Sequence, residues 1–165
     1  MRSPRFILIS ILCAPCVANA ALPFEFTPPD FLASPVLTRA ATSNTYRYSG
    51  NAPYPDVELR LTVVEIPADL SRSDATPCLE AFITELRNTL PQLFAAHDPV
   101  PMALGSLTVN AWRWTSRDGD RLRTGVLSCG IHRNRYIAVA FQDRLTNARH
   151  TFPAIRAALS QMVLP

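Results

Sequence analysis

The chain has 165 residues, 48% of them hydrophobic and 18% charged, with 16 basic and 13 acidic side chains. That length suits one compact domain with a proper core, and it holds no repeat, low-complexity tract or internal linker. The near-balanced charge leaves no footprint for nucleic acid.

Residues 1–20 read as a secretory signal. Arg2 and Arg5 make a basic start, residues 6–13 are apolar apart from Ser10, and Ala18-Asn19-Ala20 has small residues where signal peptidase cleaves. Cleavage is expected near Ala20, leaving a single globular domain, 21–165, that is periplasmic or secreted. The apolar stretch is too short for a permanent anchor, and no second stretch approaches the required length, so no transmembrane anchor is expected. Cys13 and Cys16 raise a lipoprotein as the alternative. Leu12 and Pro15 precede them where a small residue is the rule, so a soluble mature protein is favoured. Losing Arg2 and Arg5 leaves 14 basic against 13 acidic residues, a net charge near +1. Every basic residue is an arginine. A GC-rich coding bias accounts for that, whereas a surface built for bidentate anion recognition would need the arginines to cluster.

Cys78 and Cys129 are the pair left after cleavage. An even pair in an exported chain, with no CxxC and no histidine at ligand spacing, reads as one disulfide.

Phe24-Glu25-Phe26 before Thr27-Pro28-Pro29 predicts a short strand and a turn. Residues 35–49 are β-favouring, most clearly at 45–48, and end at Gly50. After a Pro-rich loop, Val57, Leu59, Leu61 and Val63 alternate with Glu58, Arg60 and Thr62, the pattern of a strand that Pro67 ends. A helix follows, with Asp74 or Thr76 as cap, Pro77 in its first turn and Glu80 near its start. Its apolar stripe runs through Leu79, Phe82, Ile83, Leu86, Leu90, Leu93 and Phe94, with Pro91 interrupting the last turn.

Residues 106–143 predict a three-stranded meander with turns at Asp118-Gly119 and near His132 to Asn134. In that register Trp112 and Trp114 share a face with Leu127, Cys129, Ile131, Ile137, Val139 and Phe141, and Gly125 lies between Trp112 and Phe141. Smaller residues, among them Val109, Ala111, Val126, Ala138 and Ala140, take the other face. Thr151 is read as the cap of a final helix with the stripe Phe152, Ile155, Leu159, Met162 and Val163. The first helix is expected on the large-residue face, pinned by the disulfide, and the last on the small-residue face. The fold class expected is α+β, an antiparallel sheet between two main helices in three layers, α/β/α.

This order, with its "FEFTPPDF" start and "LGSLTVNAWRW" stretch, resembles the PsbP-like and DcrB-like small exported domains, which share a helix–sheet–helix sandwich. The resemblance implies an accessory or binding domain and supplies no catalytic residues to carry over. The missing lipid-attachment cysteine departs from the lipoprotein members and speaks against a tethered role.

No catalytic constellation is recognisable, so no enzyme activity and no cofactor are expected. His97, His132 and His150 form no HxH or HxxxH pair, so no metal site is expected. There is no GxSxG elbow and no Gly-rich phosphate loop. Glu80 and Glu85 share a helix face poorly, and Asp118 with Asp120 reads as a turn. A binding surface has two candidates. In the predicted register Trp114 lies across from Arg123, and Arg123 across from Asp143, so Trp112, Arg113, Trp114 and Arg123 could form a stacked cation–π cluster. Both tryptophans filling the core beneath the first helix is the plainer reading. The second candidate is the arginine-bearing turn region with Arg117, Arg121, Arg133 and Arg135.

The leading expectation is a non-enzymatic periplasmic domain that binds another envelope or incoming protein, as an accessory, chaperone-like or inhibitor/immunity-type module. The alternative is a small-ligand or lipid carrier using a crevice between helix and sheet. A hydrolase with a dispersed site is the third class. A carrier should show an internal cavity of a few hundred Å³ and a protein binder a large exposed apolar patch.

Overall fold

The computed structural model describes residues 24–66, 74–90, 92–94 and 99–164. Residues 1–20, expected to be a signal, and Pro67, Pro91 and His97 lie outside the described residues. The strands are β1 (Val36–Arg39), β2 (Ser43–Ser49), β3 (Glu58–Glu65), β4 (Leu93–Phe94), β5 (Val100–Leu104), β6 (Leu107–Asp118), β7 (Arg121–His132) and β8 (Arg135–Arg144). The helices are α1 (Thr76–Thr89), between β3 and β4, and α2 (Leu145–Ser160), after β8.

All the strands join one antiparallel sheet in the order β1-β2-β3-β8-β7-β6-β4. β5 also pairs with β6, along Leu107–Ala111, while β4 meets Thr115 and Ser116. The expected three-layer sandwich does not form. The chain is mostly sheet, and of the two helices, 14 and 16 residues long, α1 contacts it at β7 and β8 and α2 at β5, β8 and β7. Over β2 the cover is extended chain: Phe24 packs edge-on against Tyr46 and Phe26 against Tyr48, with ring centroids 5.2 and 5.4 Å apart. Two short helices cannot span so wide a sheet.

The main core holds Leu59, Leu61, Ile137, Val139 and Phe141 from the centre of the sheet with Ile155, Leu159 and Met162. Phe152 of α2 meets Phe141 edge-on at 4.9 Å. A smaller cluster joins Cys78, Cys129 and Ala138, with Leu79 and Phe82 of α1 against it. The expected helix assignments are therefore reversed for β8. Its large residues lie under α2, and Ala138 and Ala140 lie on the α1 side.

The cause is the turn. His132 pairs with Arg135 around Arg133 and Asn134, both at positive φ, 44° and 61°. That two-residue geometry moves the pairing by one residue from the expected register, and one residue exchanges the faces of the whole strand. At the other hairpin Asp118 pairs with Arg121, two residues from expectation, which keeps the faces. Trp114 thus pairs with Gly125, Arg123 with Ser116 and Arg144, and Asp143 with Thr124.

Both helices also differ at their ends. Neither Asp74 nor Thr76 is the N-cap of α1: that position is Ala75, with no side-chain cap, and Asp74 just before it accepts from the backbone N–H of Thr76 at 2.9 Å. Leu90 is already extended, at φ −111° and ψ 106°, and Leu93 and Phe94 belong to a strand, so the stripe stops short. A residue before proline is disfavoured in the helical region. α2 begins at Leu145, directly after β8, and Thr151 lies within it. Its buried hydroxyl donates to Asp143 Oδ2 at 2.8 Å instead of capping a helix start.

The Cys78–Cys129 disulfide is formed, and Cys78 is the one buried residue of α1. A bridge closing 51 residues contributes about 4 kcal/mol in the chain-entropy account. Replacing both cysteines by alanine should lower Tm by roughly 10 °C under non-reducing conditions; an unchanged calorimetric Tm would show that α1 is held by other contacts.

Burial, with a further push from Tyr46, raises the Tyr48 phenol to about 12. Tyr46 is raised too, chiefly by burial. Both phenols are favoured neutral in the fold, so their contribution is present below the ordinary value of 10.0 and is lost as pH rises through the raised values. Ultraviolet titration at high pH should show two of the four tyrosines ionising late, together with unfolding.

Candidate functional site

Between α1 and the sheet lies a crevice of about 250 Å³. Alternation decides what lines it. The same-face row at its centre runs Arg47, Arg60, Ala140, Leu127, Trp112 from β2 to β6, and the next runs Ser49, Glu58, Gln142, Gly125, Trp114. Alanines 138 and 140 leave depth below the helix. Trp114, Leu127, Ala138 and Ala140 make the floor, and Phe82 and Leu86 of α1 make the wall. Glu58, Arg60, Arg123 and Gln142 from the sheet and Glu85 from the helix add polar groups.

Trp114 is 5% exposed, and its indole occupies the space where a side chain on Gly125 would stand. The absent Cβ is therefore a packing requirement of this ring. Thr124 fixes the same strand pair by donating its hydroxyl to the Trp114 carbonyl at 2.8 Å.

The charges are arranged as ion pairs. Glu58, whose side chain is 12% exposed, receives Arg47 Nη2 at 2.6 Å on one oxygen and Arg60 on the other. Arg144 pairs with Asp56 at 2.7 Å. Across the hairpin from Arg144 stands Arg123, a like charge in a directly opposed position. Among the described residues Arg123 has no carboxylate within ion-pair distance.

Of the residues singled out from sequence, the fold brings Trp114 and Arg123 to this crevice. Trp112 is half-buried on the same face but outside the lining. Arg113 takes the opposite face, near Arg156, whose pKa is lowered first by burial and then by the Arg113 charge. Arg133 and Arg135 sit at the β7–β8 turn, and Arg135 pairs with Glu65 at 2.8 Å. Arg135 and Arg144 stand at opposite ends of the ten-residue β8, ~30 Å apart at ~3.3 Å per residue step, so the turn arginines are no part of the crevice. Asp143 does not meet Arg123. It is buried on the α2 side with Thr151. His150 Nε2 accepts from Arg149 Nε at 3.0 Å, and His132 ends β7. Among the described residues no three His, Cys, Asp or Glu side chains cluster as metal ligands.

Glu58, Arg60, Glu85 and Gln142 were not anticipated as site residues. The alternation in β3 separates Glu58, Arg60 and Thr62 from the core face, but only the strand order reveals that this polar face runs under α1.

Neither a family model nor a curated protein matches the sequence. Solved structures do. The cyanobacterial PsbP protein of Synechocystis sp. PCC 6803 superimposes with a TM-score of 0.62 at 15% identity, over 87% of each chain. LpqN, involved in cell envelope biogenesis of Mycobacterium tuberculosis, gives 0.54 at 15% identity, over 86% of this chain and 83% of its own. PA94, a protein of unknown function from Pseudomonas aeruginosa, gives 0.50 at 10% identity, over 81% and 98%. Among the described residues no helix is long and apolar enough to cross a membrane.

Gly125→Ala should cost about 1–3 kcal/mol, because the Trp114 ring must move. Denaturant melts read that cost, and a red shift of Trp114 emission in a Trp112→Phe background reads the displacement. Unchanged stability and emission would show that the ring is not seated on Gly125. At these identities the likeness is one of architecture: the chain has the fold of a PsbP-like small domain.

Proposed function

We propose that the protein is a non-enzymatic binding domain of the cell envelope, exported by residues 1–20, that holds a small molecule with an apolar body between α1 and the sheet. The crevice carries this reading. Its floor of Trp114, Leu127, Ala138 and Ala140 is apolar, and its volume of about 250 Å³ is near the small end of ligand sites. A surface for a protein partner would expose a contiguous apolar patch. Among the described residues only three large hydrophobics are exposed, Val36, Leu145 and Val163. This favours the carrier reading over a protein-binding module.

The envelope setting is supported by the signal-like first twenty residues and by the fold shared with LpqN. The non-catalytic reading is supported by the way the crevice charges are arranged: both oxygens of Glu58 are engaged by guanidiniums.

Titration of the mature protein with the neutral fluorescent probe N-phenyl-1-naphthylamine tests the reading. One saturable site is expected, lost in Ala140→Phe, which fills the floor, while the far-ultraviolet spectrum stays unchanged. No saturable binding to the wild type, or binding unaffected by Ala140→Phe, would overturn the small-ligand reading.

A further inference from the structure

We propose that the crevice ligand is an anionic amphiphile whose head group is held by Arg123, with Arg144 beside it, while its apolar chain runs over Trp114; this rests on the crevice reading above. The argument begins from an imbalance of charge. Arg123 and Arg144 are directly opposed residues of β7 and β8. Like charges in that position are destabilising. Asp56 answers Arg144 at 2.7 Å, which leaves Arg123 as surplus charge lining the crevice.

The acids nearby do not correct this. Glu58 is shared by Arg47 and Arg60, two guanidiniums on one carboxylate. Glu85 on α1 lines the crevice but is exposed and forms no ion pair among the described residues. The sheet side therefore presents uncompensated positive charge at the edge of an apolar floor. A guanidinium offers a planar fork that matches a carboxylate or phosphate bidentately. A bound anion would answer Arg123 and relieve its opposition to Arg144.

Position supports the same assignment. Arg123 and Gly125 are successive residues on one face of β7, ~7 Å apart along the strand. The Trp114 ring lies over Gly125, so the charged fork and the indole are adjacent. A head group on Arg123 would direct an attached chain across Trp114 toward Leu127, both of which line the crevice. The shared chemistry, one anionic head on a single alkyl chain, belongs to a fatty carboxylate and to a phosphate-headed lipid alike.

Calorimetric titration of the mature wild-type protein with decanoate, decyl phosphate, decan-1-ol and inorganic phosphate tests the proposal. At least one of the two anionic alkyl probes should bind tenfold or more tighter than decan-1-ol, with added salt narrowing the gap. The stronger of the two identifies the source as carboxylate or phosphate. In Arg123→Gln the gap should fall below twofold while decan-1-ol binding is retained, and Arg123→Lys should restore part of it. Equal binding of decan-1-ol and both anions would overturn the head-group assignment and leave the crevice reading standing. Binding of inorganic phosphate as tightly as decyl phosphate would overturn the amphiphile. If no alkyl probe binds, both readings fall. The wild-type comparison decides these outcomes without any variant having to fold.

Discussion

Arg133 at φ 44° and Asn134 at φ 61° form the two-residue turn between β7 and β8, and the register of that hairpin determines which face every β8 side chain takes. Primed two-residue turns match the right-handed twist of strands, and asparagine tolerates the left-handed region better than most residues. Because His132 is opposite Arg135, Ile137, Val139 and Phe141 point to α2 and complete the main core. The same parity puts Ala138, Ala140 and Gln142 on the other side, where the two short alanines leave depth beneath α1. Core and crevice are two results of one register.

α1 is accordingly a helix with little to bury. Leu79, Phe82 and Leu86 remain half-exposed, and Cys78 alone is buried. The apolar area removed from water beneath α1 is modest, so a covalent tie to Cys129 carries weight that packing carries under α2. The polar residues below the helix offset their own desolvation by pairing: Thr45 and Thr62 hydroxyls lie 3.1 Å apart, and Glu58 holds its two arginines. Such a face keeps its shape without being filled.

Much of this order was legible in the sequence. The alternation from Val57 to Val63, the paired cysteines and the long meander each carry a local signal strong enough to survive tertiary packing. Face assignment in β8 was not legible, because a turn read one residue too long exchanges Phe141 with Ala140, and the apolar residues on both faces hide the slip. The start of α2 was missed for a related reason. Thr151 and Pro153 look like a cap and a first turn, yet the hydroxyl is used by Asp143 and Pro153 stands in mid-helix. For the site, Trp114 and Arg123 were singled out on a register two residues off, a slip that keeps their faces, so both still reach the crevice. Glu58, Arg60 and Gln142 could not be named, since their role follows from β8 inserting between β3 and β7, a pairing that no local pattern encodes. The three-layer expectation failed where β2 is covered by the segment around Phe24 and Phe26 instead of a helix.

That segment bears on the order of assembly. Glu25 and Val163 exchange a pair of backbone hydrogen bonds, both 3.0 Å, so residues near opposite ends of the domain lie side by side. A contact of such sequence separation forms only after the intervening chain has been drawn in, and chains dominated by distant pairings fold slowly. The bridge between Glu25 and Val163 thus sits between Phe24 and Phe26, whose rings pack on Tyr46 and Tyr48. Until Val163 is in place the Glu25 backbone lacks its partner, so the last described residues help to close this edge of the core.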